Sequence, residues 1–560
     1  MTPNIIIHNG SLMTFDVARP SAQALAISDG KITAVGRDAD ILPLAGPETQ
    51  MIDAAGATVL PGFIDSHVHL FGGSVELDCL NLYGVVGLDA MRAKIVPYAR
   101  ANPDDAIVFC VMADYGILGT GKTLTRHDLD QILRDRPLAM FAPDHHTIWA
   151  NTAALKATDL LLGGPVDAGS EIVMGDDGLA NGELLEPGAY GPILSLTRHG
   201  GRDMLGLTTG KDPVPPATPE QREMDKVVIA RGLAHCAEQG ITSLHLMDGN
   251  RYQLELLSEL DAEGRLLCRC RVPFHMKGTD PLDRIAAEAP ALRDEFQGDK
   301  VACSHVKMFI DGVVESGTAL MLRPYPGEMG ANDNSGDEVF TQDHFVACCT
   351  EADRLGFQIA VHAIGDAGVR RTIDAFEAAA VANGKRDSRH RIEHIEVIHP
   401  DDIPRLAELE IVASLQPGHA PIGHIFPPGA VGHYLHPDQI EGAYAWQTIR
   451  ETGAKVIFST DWPVIPVNVM ANVKAAIAPL DLGEGWADQT QSLHDTLASY
   501  TRDNAWAEFN ENTKGTLAVG MTADVAVMSH DLLQLAPENI TIANAVAAIC
   551  DGKITFQRQK

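Results

Sequence analysis

Two histidines one residue apart, His67 and His69, close the segment Leu60-Pro61-Gly62-Phe63-Ile64-Asp65-Ser66-His67-Val68-His69. The run from Val59 to Ile64 is β-prone, and side chains two apart on a strand point to the same side. If the strand geometry persists through the pair, both imidazoles can reach one cation about 2 Å from each ring nitrogen. Alone the spacing is weak, because 22 histidines produce such pairs by accident. The Pro-Gly lead-in and the flanking Asp65 make it more specific. A second pattern is a series of single polar residues in or just after apolar runs. Lys307 lies within Val301 to Phe309, His362 follows Phe357 to Val361, His394 follows Arg391-Ile392-Glu393, and Asp461 follows Val456 to Thr460. Any one of these alone reads better as a satisfied core residue or a solvated loop residue. Jointly, with the histidine pair, they form a six-member set of donors suited to a divalent cation that activates water for hydrolysis.

Something must bring residues so far apart in sequence together. β-prone runs alternate with helical stretches, as in Ile359 to His362 before 367–380 and Lys455 to Ser459 after 444–451. That alternation predicts βα units and a parallel sheet. A doubly wound sheet fits the period too. Polar residues at the C-terminal ends of several strands favour a (β/α)8 TIM-like barrel, which builds its chemistry there. The two ends of the chain share the string D-G-K-I-T, at Asp29-Gly30 and at Asp551-Gly552, each between strand-like runs. Asp-Gly in that setting signals a hairpin, because its turn needs positive φ at both central residues. A small β-sandwich assembled from both termini is expected, over 1–58 and 515–560, around a hydrolase barrel over 59–514. From about residue 71 to 219 the rhythm breaks into Gly/Pro-rich, irregular sequence, including 162–175 and 208–219. That is too long for one βα connection and is expected to be an inserted subdomain covering the mouth of the site.

Composition narrows the partners. The 560 residues carry a formal charge of −32, which repels nucleic acid and anionic membranes and favours a small-molecule substrate. Hydrophobic content of 45% and charged content of 21% suit a folded chain. No run of about 18 apolar residues suggests a membrane span, and MTPNIIIHNGSLMTF has no secretory-leader pattern. Nine scattered cysteines without C-x-x-C spacing suit reduced thiols and a cytoplasmic location. Oligomeric state is open, a homodimer being the commonest case.

With PGFIDSHVHL, VKMFIDG, VHAIGD, RIEH, SLQPGHA, FSTDWPV and the closing segment from Lys514 to Asp524, the chain resembles the metal-dependent amidohydrolase superfamily. Within it the likeness is to the YtcJ-like branch that includes N-substituted formamide deformylases, and it runs from about residue 4 to 557. The resemblance implies that His67 and His69 bind one metal and His362 and His394 another. Lys307 would bridge the two as a carbamate formed with carbon dioxide, and Asp461 would ligate weakly and take the proton of the attacking water. The carbamate makes chemical sense. An ordinary lysine, with a pKa near 10.4, costs roughly 4–5 kcal/mol to deprotonate at pH 7, whereas a carbamate is an anion with two oxygens. The other reading is a single-metal site whose Lys307 ammonium binds substrate. Two zinc ions suit the donors; iron, manganese or cobalt also fit.

On the substrate side, Met140 to His146 and Trp149-Ala150-Asn151 resemble a family stretch that usually reads Asp-Gly-His, with His145 here in place of the glycine. His146 and Trp149 are therefore candidates to line the pocket, with subdomain packing the alternative for Trp149. His245 and Asp311 are further substrate-binding candidates, and loop capping explains Asp311 or Asp366 equally well. Glu183 and Glu186 could also meet substrate. The expected activity is hydrolysis of a C–N bond in an amide, N-formyl or N-acyl compound. A lactone or ester hydrolase would use the same residues, and a non-catalytic scaffold would show a broken set.

Overall fold

The computed structural model describes residues 2–119, 122–143, 145–166, 170–421, 434–481, 483 and 485–558. Asp144 and residues 167–169 of the expected loop 162–175 lie outside the described residues. Contacts divide the chain into two units, Met1–His69 with Leu233–Lys560, and Leu70–Gly232. Among the described residues no helix is long and apolar enough to cross a membrane.

The first unit contains eight parallel strands in sequence order: β1 (Phe63–Val68), β2 (Ile241–Leu246), β3 (Arg269–His275), β4 (Val301–Phe309), β5 (Gln358–Ala363), β6 (Arg391–His394), β7 (Val412–Leu415) and β8 (Lys455–Phe458). Each pairs with the next, and β1 pairs with β2 at the start of the series. Their apolar residues are buried almost without interruption, as expected where side chains on both faces leave water. Intervening helices cover them. The helix Asp366–Asn383 after β5 buries Val369, Thr372, Ile373, Phe376 and Ala379, the spacing of one helical face. The seam between β1 and β8 is closed just beyond the last strand. Asp461 N–H donates to the His67 carbonyl (2.9 Å) and His69 N–H to that of Trp462 (2.8 Å). This is the (β/α)8 barrel expected from the strand-end residues.

In the same unit are two further sheets, one built from the N-terminal segment alone and one from strands of both termini. One has four strands within residues 5–53; the other pairs Ser11–Met13 and Thr58–Pro61 with Val525–Met528, Ala545–Cys550 and Lys553–Gln557. Ile5, Ile7, Leu25 and Ile27 of the first share one apolar core with Val59, Val525, Val527 and Ile549 of the second. Both Asp-Gly turns take positive φ at each residue, 48° and 76° at Asp29-Gly30 and 54° and 71° at Asp551-Gly552. The turns press together so closely that a Cβ at residue 552 would stand 2.6 Å from the Gly30 Cα.

The second unit holds a six-stranded sheet, in the order Glu171–Met174, Ala180–Leu185, Thr147–Ala150, Leu138–Phe141, Val108–Val111, Leu80–Asn81. Its faces bury Ile148, Leu184 and Tyr190 on one core and Met140, Trp149 and Met91 on another. Much of what reads as irregular sequence is therefore regular. Its strands are mostly four residues long, and three of their five pairings join strands distant in sequence.

Candidate metal centre

The closed seam explains the heart of the site. Asp65, two residues before His67 on β1, accepts from Thr460 N–H (2.9 Å) and Thr460 Oγ1–H (2.6 Å). One carboxylate thus pins the segment carrying Asp461 against the strand carrying the histidine pair. Asp461 Oδ1 lies 3.4 Å from His67 Nε2 and 3.2 Å from His69 Nε2. The donor atoms of His67, His394 and Asp461 all fall within 4.8 Å of one another, and all three residues are buried. The imidazoles form a chain, with ring centroids 5.5 Å apart for His69–His67, 4.7 Å for His67–His394 and 4.6 Å for His394–His362. His394 and Asp461 enter it from left-handed backbone, at φ 78° and 62°. Such conformations are costly for residues with side chains and gather at functional sites.

Each of the four imidazoles has one nitrogen tied to an oxygen. His67 Nδ1 meets Glu393 Oε2 (2.7 Å) and His69 Nδ1 meets Asp248 Oδ1 (2.9 Å). His394 Nδ1 donates to Gln416 Oε1 (2.8 Å), and His362 Nε2 donates to the Gly312 carbonyl (3.0 Å). A nitrogen that donates carries the proton, so the lone pair falls on the other one. Metal-binding histidines are oriented in this way. Glu393 is held in turn by Arg391 Nε (2.7 Å), whose guanidinium also donates to the Ser66 carbonyl (2.6 Å). Asp248→Asn keeps the shape but weakens the grip on His69. Cation affinity, measured by competition with a chelator, is expected to fall about 10–100-fold.

The groups of the site shift in opposite directions. Burial pushes the His67 imidazole down to about 4, leaving it neutral with a lone pair. Burial also depresses His69, but the carboxylates of Asp248 and Asp461 outweigh it and hold it up to about 9. Burial pushes the Lys307 ammonium down to about 8 against the pull of Glu393 and Asp461. Lys307 is 0% exposed; its Nζ sits 4.5 Å from the centre of the Phe309 ring and, among the described residues, meets no hydrogen-bond partner. Asp461 Oδ1 likewise lacks one. A buried carboxylate oxygen left unmatched beside imidazoles that each have one nitrogen already held by an acceptor fits a divalent cation.

The remaining candidates stand elsewhere. His245, on β2, accepts from Arg391 Nη1 (2.8 Å) and lies 3.4 Å from Glu508, within a buried ionic cluster that includes Lys514. Asp311 accepts from the backbone N–H groups of Leu320, Ile364 and Gly365, so its carboxylate organises the loops after β4 and β5. Asp366 accepts from Leu322 N–H and from Gln439 Nε2. In the second unit, His146 Nδ1 faces Glu186 (2.7 Å) and Trp149 Nε1 donates to Glu183 (3.2 Å). Glu393, Asp248 and Gln416 are functional residues that sequence reasoning missed. The alternation of Arg391 and Glu393, two charges on the same side of the strand-like run that ends in His394, was the available signal.

An eight-stranded parallel barrel, with a buried His/His/Asp grouping at the ends of strands on both sides of its seam, defines a barrel protein with a candidate metal centre. Residues 50–556 match the Amidohydrolase family, and the chain belongs to it. It is 26% identical to YtcJ of Bacillus subtilis, over 99% of each chain. It is 23% identical to the N-substituted formamide deformylase of Arthrobacter pascens, over 99% of this chain and 98% of that one. A solved structure described as an uncharacterized metal-dependent hydrolase from Pyrococcus horikoshii has the same fold, with a TM-score of 0.72 and 24% identity over 96% of this chain and 99% of that one.

Proposed function

We propose that the protein hydrolyses a C–N bond of a small N-formyl or N-acyl compound with water activated by a divalent cation. The observation that carries this reading is that His67, His69, His362 and His394 each have one nitrogen held by an acceptor, with Asp461 beside His67 and His69 and with Lys307 Nζ meeting no hydrogen-bond partner among the described residues. Likeness to the formamide deformylase of Arthrobacter pascens supports the choice of bond. When bound, the cation supplies Lewis acidity, lowering the pKa of water from 15.7 to about 7 and polarising the carbonyl.

The chain's own groups do the rest. His67, His69, His362 and His394 would hold one or two cations, most simply zinc, with Lys307 as a carbamate supplying further anionic oxygens. Asp461, kept ionised because its imidazole neighbours outweigh burial, takes a proton from water and returns it to the departing nitrogen. The depressed pKa of Lys307 leaves more of it as the free amine that adds carbon dioxide: nitrogen bonds to carbon, one C=O π pair moves to oxygen, and the amine proton leaves. Adding bicarbonate to cation-free protein is therefore expected to raise zinc uptake. Lys307→Arg, which stays cationic, should lose most of its zinc and all bicarbonate dependence.

The decisive screen couples a metal count to hydrolysis of N-formyl amines, longer N-acyl amines and lactones. Turnover of the formyl or acyl amines supports the proposal. Turnover of lactones alone moves the assignment to ester hydrolysis by the same residues.

A further inference from the structure

His419 follows β7 in the stretch Ser414-Leu415-Gln416-Pro417-Gly418-His419-Ala420, and no role falls to it in the site described above. It is 7% exposed. Its ring lies parallel to that of His394, with centroids 5.8 Å apart and an interplanar angle of 11°. Its Nδ1 stands 3.2 Å from Glu396 Oε1, and the other oxygen of that carboxylate accepts from Tyr444 Oη–H (3.2 Å). Its Nε2 faces Asp461 Oδ2 at 3.4 Å and, among the described residues, makes no hydrogen bond. His419 thus repeats the arrangement of His67 and His69, with one nitrogen fixed by an acceptor and the other turned toward Asp461.

The distances allow a choice between two meanings. An ion-paired N–H···O contact to a carboxylate closes to about 2.7–2.9 Å. Two donors on one tetrahedral cation, each about 2 Å from it, stand about 3.3 Å apart. The contact of His419 with Oδ2, at 3.4 Å, matches the second figure, as do those of His67 (3.4 Å) and His69 (3.2 Å) with Oδ1. Asp461 therefore presents one oxygen to the histidine pair of β1 and the other to His419.

We propose that His419, oriented by Glu396 and Tyr444, is a further cation ligand on the Oδ2 side of Asp461. The inference rests on the cation-dependent reading above. His419 would fill a coordination position that His67, His69, His362 and His394 leave open, and Glu396 and Tyr444 act on the cation only through it. They are positioning residues.

Cobalt(II) titration of the cation-free protein tests this without any substrate. In H419A the free cobalt needed for half-loading is expected to rise at least tenfold, with a changed visible absorption spectrum. E396Q should shift in the same direction by less, and H419Q guards against loss of folding in the alanine variant. Melting temperatures of the cation-free variants should stay near that of wild type. If wild type loads cobalt, and H419A and H419Q load it with the same affinity and spectrum, His419 is not a ligand and the reading of the other residues stands. If wild type takes up no cobalt, both readings fall.

Discussion

Exhaustive removal of divalent cations is expected to reduce hydrolysis at least about 10⁴-fold, and zinc, cobalt or manganese to restore it. The size follows from how much of the barrier the cation carries. A drop of about 9 units in the pKa of water is worth roughly 12 kcal/mol in forming hydroxide at neutral pH, more than any side chain here can supply. The remaining groups, Asp461 and the polar residues around it, cannot replace it. The loss should also be reversible. The imidazoles are held by Glu393, Asp248, Gln416 and the Gly312 carbonyl rather than by the cation alone, so the apo site keeps its shape. Stopped activity with unchanged circular dichroism, followed by recovery on adding metal, is the expected record. Unchanged turnover after chelation, verified by elemental analysis, would remove the cation from the chemistry.

Asp461→Asn is expected to lower kcat about 10²–10⁴-fold while most of the metal stays bound. The amide keeps an oxygen near His67 and His69, so a weak ligand survives, and the four imidazoles supply most of the hold. What the amide cannot do is accept a proton and pass it on. Substrate binding should change little, so KM stays within a few-fold and the loss falls on kcat. The backbone of residue 461 has a φ of 62°, a conformation that asparagine tolerates about as well as aspartate, so the substitution should not disturb the seam. Metal content by elemental analysis and a full kinetic curve separate the two roles of Asp461. Full activity with normal metal would assign the proton transfer to another group.

Much of this site could be read from the chain alone, for identifiable reasons. His67 and His69 stand out because a period of two is the mark of a strand. Lys307, His362, His394 and Asp461 stand out only jointly, because four strand-like runs each carry one residue able to bind a cation in or just after them. The Asp-Gly turns at residues 29 and 551 were legible because the turn demands those residues. Other features depend on distant pairing. Asp248 and Gln416 orient imidazoles on neighbouring strands, and no local pattern links them to His69 or His394. The left-handed backbone of His394 and Asp461 is imposed by the closing loops, not by propensity. The sheet within residues 70–232 was hidden for another reason. Strands such as Glu171–Met174 and Thr147–Ala150 are too short to show a period, and the glycines and prolines between them read as loop.

The most direct measurement is an anomalous diffraction map from crystals grown with zinc, recorded above and below the zinc absorption edge. The account predicts density for one or two ions enclosed by His67, His69, Lys307, His362, His394 and Asp461. Ions bound only at the surface, or none in crystals grown with excess zinc, would contradict it.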